Sequence, residues 1–328
     1  MYNTSGNDMK RRNFIKTTAI VAPVMSLFPA DLSAIAREFA PGKIEKRSLG
    51  RTGEMLSVIG FSGLAMRNVT PELASQSVKH AIDSGVNYFD VAPAYGDAEL
   101  MLGPALESYR RDVFLSCKTG KRTKAESREE LERSLIRMRT DHFDLYQFHN
   151  VARINEVDAI TGPGGALETF IEAKKEGKIR FLGFSAHTVE AAMALMDRFG
   201  FDTIMFPVNF ASWHAGNFGP QVLARAHDNK MGIIALKAMV RGVWPKDADR
   251  SKFPRCWYEP LSEPEDARMG LRFTLSHPVT SAMPPGDSEL IKLALSMSGR
   301  LDPLKKEEVE EIKIGGLKEN PLFKYEGS

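Results

Sequence analysis

The chain has 328 residues, of which 43% are hydrophobic and 26% are charged, and both values are ordinary for a globular protein. Its 44 basic and 42 acidic side chains give a net charge of +2 without a basic stripe, so nothing in the charge pattern favours a nucleic-acid partner. The two cysteines, Cys117 and Cys256, exclude a zinc or iron–sulfur site built from four cysteines of this chain. We predict that both are free thiols and that the chain carries no metal site, although their spacing leaves a disulfide open.

The N-terminus has the pattern of an export signal. Arg11 and Arg12 lie in a basic segment, and the apolar stretch over 17–28 that follows is about 12 residues long, too short to span a bilayer. Ala34-Ile35-Ala36 fits a signal cleavage site, and the paired arginines are typical of a twin-arginine signal. We therefore predict that residues 1–40 are an export signal and linker, which the twin-arginine machinery recognises, and that the protein is periplasmic. The alternative is a basic amphipathic tail on a cytoplasmic protein.

The rest of the chain, residues 41–328, alternates between short apolar segments and amphipathic helical segments. Thr70 is a good helix N-cap, with Pro71 in the first turn and Gly85 at the end. Ser127 and Glu130 form a capping-box pattern that predicts the start of a second helix. A charged surface helix is predicted over 304–314. The predicted strands are 56–64, 86–90, 113–118, 143–149, 179–185, 202–209, 232–237 and 279–283.

The alternation of strands and helices predicts a parallel barrel. Strands that are each followed by a helix or a long loop form parallel βαβ units, and about eight units close into a (β/α)8 TIM barrel, here as a single domain. The alternative is an open doubly wound sheet, which usually carries the motif G-x-G-x-x-G after its first strand. The turn over 60–67 does not fit that motif.

Three consecutive predicted strands end on an ionisable residue: Asp90, Lys118 and His149. The strand ends of a parallel barrel lie on one rim, so these side chains are predicted to meet there, and Tyr95 lies in the loop after Asp90. A buried unpaired ammonium is costly, so Asp90 is expected to balance the charge of Lys118. The alternative is that each is only a polar residue at the point where a strand reaches the surface. Three ionisable residues on neighbouring strands, with a tyrosine nearby, favour a shared active site over that alternative.

These segments resemble the aldo-keto reductases. The resemblance is carried by NYFDVAPAYGDAE (87–99), CKTG (117–120), DHFDLYQFH (141–149) and IRFLGFSAHT (179–188), and the segment over 47–66 resembles the N-terminal β-hairpin and first strand of that family. It implies a (β/α)8 barrel with an N-terminal hairpin and a C-terminal helix, and a nicotinamide-dependent oxidoreductase. On this resemblance Asp90, Tyr95, Lys118 and His149 are the catalytic tetrad.

The residue types of the implied tetrad suit hydride transfer between a nicotinamide and a carbonyl or alcohol substrate, which is an aldehyde, a ketone or a sugar. The phenol of tyrosine has an ordinary pKa of about 10, and Lys118 is expected to lower the pKa of Tyr95 so that Tyr95 serves as general acid and base. Asp90 is expected to keep Lys118 charged, and His149 to orient the carbonyl oxygen.

The residues implied to bind the cofactor match the family less closely. Ser185 matches, but Ala186 and Met205 stand where the family has the asparagine and glutamine that contact the nicotinamide amide. The cofactor that is usual in this family implies NADP, with NAD as the alternative. Lys237 and Arg241 are expected at the pyrophosphate, and the turn over 285–288 at the adenosine phosphate. The predicted cofactor-binding residues are Ser185, Asn209, Lys237, Arg241, Gly286 and Ser288.

The partially matched cofactor residues leave a second function open. The barrel could bind a nicotinamide with little turnover and act as a regulatory or partner-docking subunit. The tryptophans Trp213, Trp244 and Trp257 lie in the long segments after the sixth and seventh strands, where their rings would either stack on a sugar or simply pack these segments. Neither function requires a nucleic acid or a stable membrane span.

Overall fold

Eight parallel strands form the centre of the computed structural model, which describes residues 44–327. These strands lie side by side in the order in which they occur along the chain. The Gly60 N–H donates to the Ala282 carbonyl at 3.1 Å and the Ala282 N–H donates to the Val58 carbonyl at 2.8 Å, so the first strand closes onto the last. The predicted (β/α)8 barrel is confirmed. The predicted export signal, residues 1–40, lies outside the described residues.

The strands comprise a short N-terminal hairpin, the barrel and one small ribbon. β1 pairs with β2 and β10 pairs with β11, both antiparallel, and the other strands form the barrel. In chain order they are β1 (Lys46–Ser48), β2 (Met55–Ser57), β3 (Phe61–Ser62), β4 (Tyr88–Asp90), β5 (Phe114–Thr119), β6 (Phe143–Val151), β7 (Ile179–Ala186), β8 (Thr203–Pro207), β9 (Gly232–Leu236), β10 (Val240–Gly242), β11 (Glu259–Pro260) and β12 (Ser281–Ala282).

Helices follow the barrel strands and cover the outside of the sheet. Among the described residues no helix is long and apolar enough to cross a bilayer. In chain order the helices are α1 (Pro71–Asp83), α2 (Ala98–Leu106), α3 (Lys124–Arg137), α4 (Ile154–Thr161), α5 (Ala166–Lys175), α6 (Val189–Arg198), α7 (Phe210–His214), α8 (Pro220–Asp228), α9 (Pro264–Leu275), α10 (Ser288–Ser296) and α11 (Lys306–Gly316).

The start of α1 is confirmed and the predicted start of α3 is wrong. Thr70 caps α1, because its hydroxyl oxygen accepts the Leu73 N–H at 3.3 Å. α3 begins at Lys124 rather than at Ser127, since Thr123 accepts the Glu126 N–H at 3.4 Å and donates to the Glu126 carboxylate at 2.7 Å. The spacing of a hydroxyl residue and a glutamate that predicted a start at Ser127 also occurs four residues earlier, at Thr123 and Glu126. Ser127 itself is buried inside the helix.

The strand predicted over 56–64 is divided in the structure. Its first part is β2 of the hairpin and its second part is β3 of the barrel, and the chain between them turns where the Ser57 hydroxyl donates to the Ile59 carbonyl at 2.8 Å. A 3₁₀ turn, Gly63–Met66, follows β3. The sequence over 56–64 is mostly apolar and has no strong turn signal, so it did not predict this division.

Two layers of apolar side chains hold the barrel together. The larger layer lies between the strands and the surrounding helices, and it includes the free thiols Cys117 and Cys256, as predicted. The second fills the barrel interior, where Leu49 and Leu56 of the hairpin close the N-terminal end. The members of this interior cluster are Leu49, Leu56, Tyr88, Phe114, Leu145, Met205, Ile234 and Met283.

A buried carboxylate also holds the N-terminal end of the barrel. Asp144 of β6 accepts the Leu115 N–H at 2.9 Å and pairs with Arg110 at 3.0 Å and Arg180 at 2.6 Å. Arg180 also pairs with Glu54, which lies between β1 and β2. Asp144 of β6 therefore connects β5, β7 and the segment before β5, and it is linked to the hairpin through Arg180.

We predict that Asp144→Ala destabilises the protein by about 3–5 kcal/mol, because it leaves the half-buried Arg110 guanidinium group without its carboxylate and the buried Leu115 N–H without its acceptor, whereas Arg180 keeps Glu54. Asp112→Ala, at an exposed residue close to the same end of the barrel, is the control and is expected to change stability by less than about 0.5 kcal/mol. Urea unfolding followed by circular dichroism measures both. Similar losses for the two variants would show that Asp144 does not hold this end together.

Candidate active site

The structure brings Asp90, Tyr95, Lys118 and His149 together at the C-terminal rim. Asp90 ends β4, Lys118 lies near the end of β5 and His149 near the end of β6, while Tyr95 lies in the 3₁₀ turn Pro93–Tyr95. The Lys118 Nζ atom lies 5.3 Å from the centre of the Tyr95 ring, and the Tyr95 and His149 rings are 5.6 Å apart and nearly perpendicular. One phenol therefore lies beside both an ammonium group and an imidazole.

Lys118 is a buried ammonium group with a buried counter-ion. Its side chain is 1% exposed and pairs with the Asp90 carboxylate, and its Nζ also donates to the Val91 carbonyl at 3.2 Å. Burial alone would lower the pKa of Lys118, but Asp90 and Tyr95 raise it, and the net pKa lies above the ordinary value for lysine. Lys118 is therefore charged at neutral pH, as expected from the strand ends.

Two further side chains hold the Asp90 carboxylate in position. The Ser116 hydroxyl donates to Asp90 Oδ1 at 2.5 Å, and the Tyr88 hydroxyl lies 3.3 Å from the Ser116 hydroxyl. Sequence analysis missed both residues. The alternation of strand side chains would have found them, since Tyr88 and Ser116 lie two positions before Asp90 and Lys118 and share their inward face.

The pKa of Tyr95 differs from the expectation. Burial of the phenol raises its pKa more than the Lys118 charge lowers it, so the net pKa lies above the ordinary value. The expectation of a lowered pKa was wrong because burial outweighs the effect of the Lys118 charge, and Asp90 raises the pKa of Tyr95 further. Tyr95 is thus a protonated phenol at neutral pH, which makes it a proton donor.

His149 is a neutral imidazole at the same rim. Burial and the nearby Lys118 charge lower its pKa to about 3. Arg122 donates to the His149 backbone carbonyl at 2.8 Å and holds the end of β6 in place. A neutral imidazole carries one N–H, so His149 can donate a hydrogen bond to an oxygen without adding charge.

Ser185 and Asn209 place two polar side chains on the neighbouring part of the rim. The Ser185 hydroxyl oxygen accepts the Asn150 N–H at 2.8 Å, which leaves its own hydrogen to donate. Asn209 Oδ1 accepts the Ser212 N–H at 2.9 Å at the start of α7, while its buried Nδ2 has no partner within the described range, 44–327. A buried amide group without a partner suits a bound polar ligand, so these residues fit the amide of a nicotinamide.

The structure does not favour the predicted contact between Arg241 and a pyrophosphate. The guanidinium group pairs with Asp266, with Glu319 at 3.3 Å and with Glu259 at 3.6 Å. Three carboxylates already compensate its charge, and they would repel a phosphate. Arg241 instead connects the segment after β9 to α9 and to the C-terminal tail.

The turn before α10 offers fewer amide groups to a phosphate than predicted. The Asp287 carboxylate accepts the Glu289 N–H at 3.0 Å and the Leu290 N–H at 3.4 Å, so it occupies the N-terminus of α10. The predicted phosphate contact therefore rests on the amide groups of Gly286 and Ser288. Gly286 passes so close to Leu64 that a β-carbon on Gly286 would lie 2.6 Å from that side chain.

Aromatic side chains form a wall around Lys237, just after β9. The Lys237 Nζ atom lies 4.3 Å from the centre of the Tyr258 ring and 5.0 Å from that of the Trp257 ring. Phe323 of the C-terminal tail lies 6.4 Å from Trp257 and 5.8 Å from His187, measured between ring centres. Trp257 is 59% exposed, so one wall of the rim presents an open aromatic face.

The other two tryptophans have packing roles. Trp213 lies against Phe273 and His277 at ring-centre distances of 6.2 and 4.1 Å. The Trp244 Nε1–H donates to the Cys256 carbonyl at 2.8 Å. Of the three rings predicted to stack on a ligand or to pack the long segments, only that of Trp257 remains largely exposed.

Comparisons with known proteins agree with the fold. A family model described as "Aldo/keto reductase family" matches residues 58–258. The L-galactose dehydrogenase of Arabidopsis thaliana is 29% identical over 171 residues, which are 48% of this chain and 53% of that protein. The Aldo-keto reductase YhdN of Bacillus subtilis is 30% identical over 219 residues, 61% of this chain and 63% of that protein. The chain thus aligns with about half to three fifths of these relatives.

A solved structure matches the fold over nearly its whole length. An aldo-keto reductase from Klebsiella pneumoniae, described as a complex with NADPH, superposes with a TM-score of 0.67 at 19% identity. The match covers 87% of this chain and 99% of that chain. At this identity the likeness shows the common fold.

We predict that His149 stays unprotonated down to about pH 5, because burial and the Lys118 charge lower its pKa to about 3. An NMR titration of the isotope-labelled imidazole measures this directly. In the urea-unfolded protein the same ring should titrate near the ordinary histidine value of about 6.5. A midpoint between pH 6 and 7 in the folded protein would contradict the neutral imidazole.

Proposed function

The chain belongs to the aldo/keto reductase family, and from that premise we propose that it is an NAD(P)-dependent oxidoreductase. It transfers a hydride between a nicotinamide and a carbonyl or alcohol substrate, an aldehyde, a ketone or a sugar. The observation that carries the proposal is the position of the Tyr95 phenol beside both the Lys118 ammonium, 5.3 Å from its ring centre, and the His149 ring, at 5.6 Å.

In the proposed reduction each tetrad residue has a separate task. A bound reduced nicotinamide would supply the hydride to the carbonyl carbon. Tyr95 is a protonated phenol, and it gives the hydroxyl proton to the carbonyl oxygen. Lys118 stabilises the phenolate that remains, and Asp90 keeps Lys118 charged. In the direction of alcohol oxidation the Tyr95 phenolate takes the proton back.

His149 positions the substrate oxygen in this proposal. As a neutral imidazole it donates one hydrogen bond to the carbonyl oxygen and polarises the bond, without competing with Tyr95 for the transferred proton. Ser116 and Tyr88 act through Asp90 and are positioning residues, because they contact the carboxylate rather than the substrate.

The proposed cofactor is NADP(H), with NAD(H) as the alternative. Ser185 and Asn209 would hold the nicotinamide amide, since Asn209 Nδ2 is a buried donor without a protein partner. The amide groups of Gly286 and Ser288 would meet the adenosine phosphate. Of the two cations predicted at the pyrophosphate, Arg241 is already paired with carboxylates, while Lys237 is in no ion pair among residues 44–327 and its charge is available to a ligand.

A sugar is the substrate class that the rim supports best. The exposed face of Trp257 is a flat apolar surface of the kind on which the C–H face of a sugar ring stacks. The L-galactose dehydrogenase among the relatives takes its name from a sugar, which is consistent with this choice.

The export route is also proposed, on the sequence alone. Arg11 and Arg12 before an apolar stretch support recognition by the twin-arginine machinery and a periplasmic location. That route carries folded proteins, so the cofactor would be loaded before export and held tightly. This proposal concerns residues 1–40, which lie outside the part of the chain that the structure describes.

We predict that Tyr95→Phe lowers kcat for carbonyl reduction by about 10²–10⁴-fold, because it removes the transferred proton and leaves the ring in place. The Kd of NADPH, from fluorescence titration, should stay within about twofold, since the change removes one hydroxyl group. Tyr146→Phe is the control, because it removes the same hydroxyl group from a fully buried tyrosine outside the tetrad, and it should leave kcat unchanged.

Two outcomes would contradict the proposed function. Unchanged reduction by the Tyr95→Phe variant would remove Tyr95 from the proton transfer. A wild-type protein that binds NADPH but turns over neither sugars nor simple aldehydes would instead support the second function, a nicotinamide-binding barrel with a regulatory or docking role.

We expect the double variant Arg11→Lys/Arg12→Lys to remain in the cytoplasm of a bacterium that has the twin-arginine machinery, because the paired guanidinium groups are the recognised feature. Cell fractionation and the mass of the N-terminus report the outcome. Arg37→Lys conserves charge outside the pair and is the control. Equal periplasmic amounts of the double variant and the wild type would disprove the signal.

A further inference from the structure

The rim holds a second lysine whose charge has no counter-ion. Lys237 has its Nζ against the Tyr258 and Trp257 rings, and its side chain is in no ion pair among residues 44–327. Its backbone is left-handed with a φ of 68°, an uncommon conformation that costs a residue with a side chain about 1–3 kcal/mol. The strained backbone of Lys237 thus lies at the rim, directly beside its aromatic contacts.

The contrast with Lys118 shows what Lys237 lacks. Both amines are largely withdrawn from water at the same rim. The Asp90 carboxylate raises the pKa of Lys118, whereas burial lowers that of Lys237 to about 8, and only Cys256 opposes the shift. Contact with two aromatic rings is worth about 0.5–2 kcal/mol and does not replace an anion. The ammonium of Lys237 would therefore gain most from a ligand that carries negative charge.

His187 adds a second polar group to the part of the rim beside Lys237, which we call the recess and which Lys237, His187, Trp257, Tyr258 and Phe323 line. The His187 Nδ1 is buried and has no hydrogen-bond partner among residues 44–327, and burial, together with the charge of Lys237, lowers the pKa of the ring. The ring is neutral at pH 7, because its pKa is about 4. In the tautomer with the proton on Nδ1, His187 has an N–H that is available to a ligand.

We propose that Lys237 and His187 bind an acidic group of the substrate, so that the oxidoreductase acts on a carbonyl sugar or related compound that carries a carboxylate. This inference rests on the proposed function. The ammonium group and the imidazole N–H supply the two donors that a carboxylate accepts. Trp257, Tyr258 and Phe323 form apolar walls beside these donors for the carbon frame of the sugar.

The surroundings of the recess favour the substrate over the phosphates of the cofactor. The recess adjoins the proton-transfer residues, since Tyr95 is one of the groups that raise the pKa of Tyr258 and His187 is one of those that lower the pKa of His149. In addition, β9 is followed by the short strands β10 and β11, and the next helix begins only at Pro264. The helix N-terminus that commonly binds a pyrophosphate is therefore missing from the chain directly after Lys237.

A matched pair of ligands tests the acidic subsite. D-Glucuronate and D-glucuronamide differ in one charge, and calorimetric titration of the full-length protein, with and without NADP⁺, gives a Kd for each. We expect the wild type to bind the acid at least about tenfold more tightly than the amide. Lys237→Met should bring the ratio to about one, and Lys237→Arg should retain the preference. The Kd of NADPH should stay within about twofold in both variants.

Two results would overturn the inference, and circular dichroism with thermal unfolding ensures that each is measured on folded protein. One is a wild type without preference for the acid. The other is a Lys237→Met variant that keeps the preference but binds NADPH at least tenfold more weakly, which would assign Lys237 to a cofactor phosphate. Lys237→Gln replaces Lys237→Met if the latter does not fold.

Turnover separates this inference from the proposed function. Preferential binding of D-glucuronate without NADPH-dependent reduction of that compound, of other sugars or of simple aldehydes would support the acidic subsite and contradict the oxidoreductase. Reduction of both compounds at equal kcat/KM would support the oxidoreductase and overturn the acidic subsite.

Discussion

The buried ion pair between Lys118 and Asp90 is the interaction on which the rest of the rim depends. An ammonium group with 1% exposure is stable only beside a carboxylate, and Asp90 is held in turn by the Ser116 hydroxyl. The pair keeps a positive charge next to the Tyr95 phenol without exposing it to water. Without the pair, the phenolate left after proton transfer would face only apolar surroundings, and burial already raises the pKa of Tyr95.

The two buried lysines of the rim show how a local counter-ion decides the role of an amine. Lys118 has its carboxylate within the protein, so its charge is permanent and is directed at Tyr95. Lys237 rests on aromatic rings and has no carboxylate among the described residues, so its charge is available to a ligand. We assign the first amine to proton transfer and the second to recognition of the substrate. The same residue type thus serves two tasks a few strands apart.

The two ends of the barrel have different roles: the N-terminal end stabilises the fold, and the C-terminal end holds the candidate active site. At the N-terminal end, Asp144 gathers two arginines and a strand N–H, and the hairpin leucines close the interior. These contacts are largely satisfied within the protein. At the C-terminal end, Asn209 and His187 each keep a buried polar atom that has no partner among residues 44–327. An unpaired buried polar group costs stability, so a ligand that supplies the missing partners at this rim would be stabilised there.

The sequence by itself determined the barrel and the meeting of Asp90, Lys118 and His149, because strand period and strand spacing are local properties that leave few ways to close a parallel sheet. Only the tertiary structure decided that α3 begins after Thr123 and that Tyr95 remains a protonated phenol. It also decided that Arg241 pairs with Asp266 and Glu319, while Lys237 has no acidic partner among residues 44–327. Charge compensation and burial depend on side chains that lie far apart in the chain, and their distances are set only when the barrel closes.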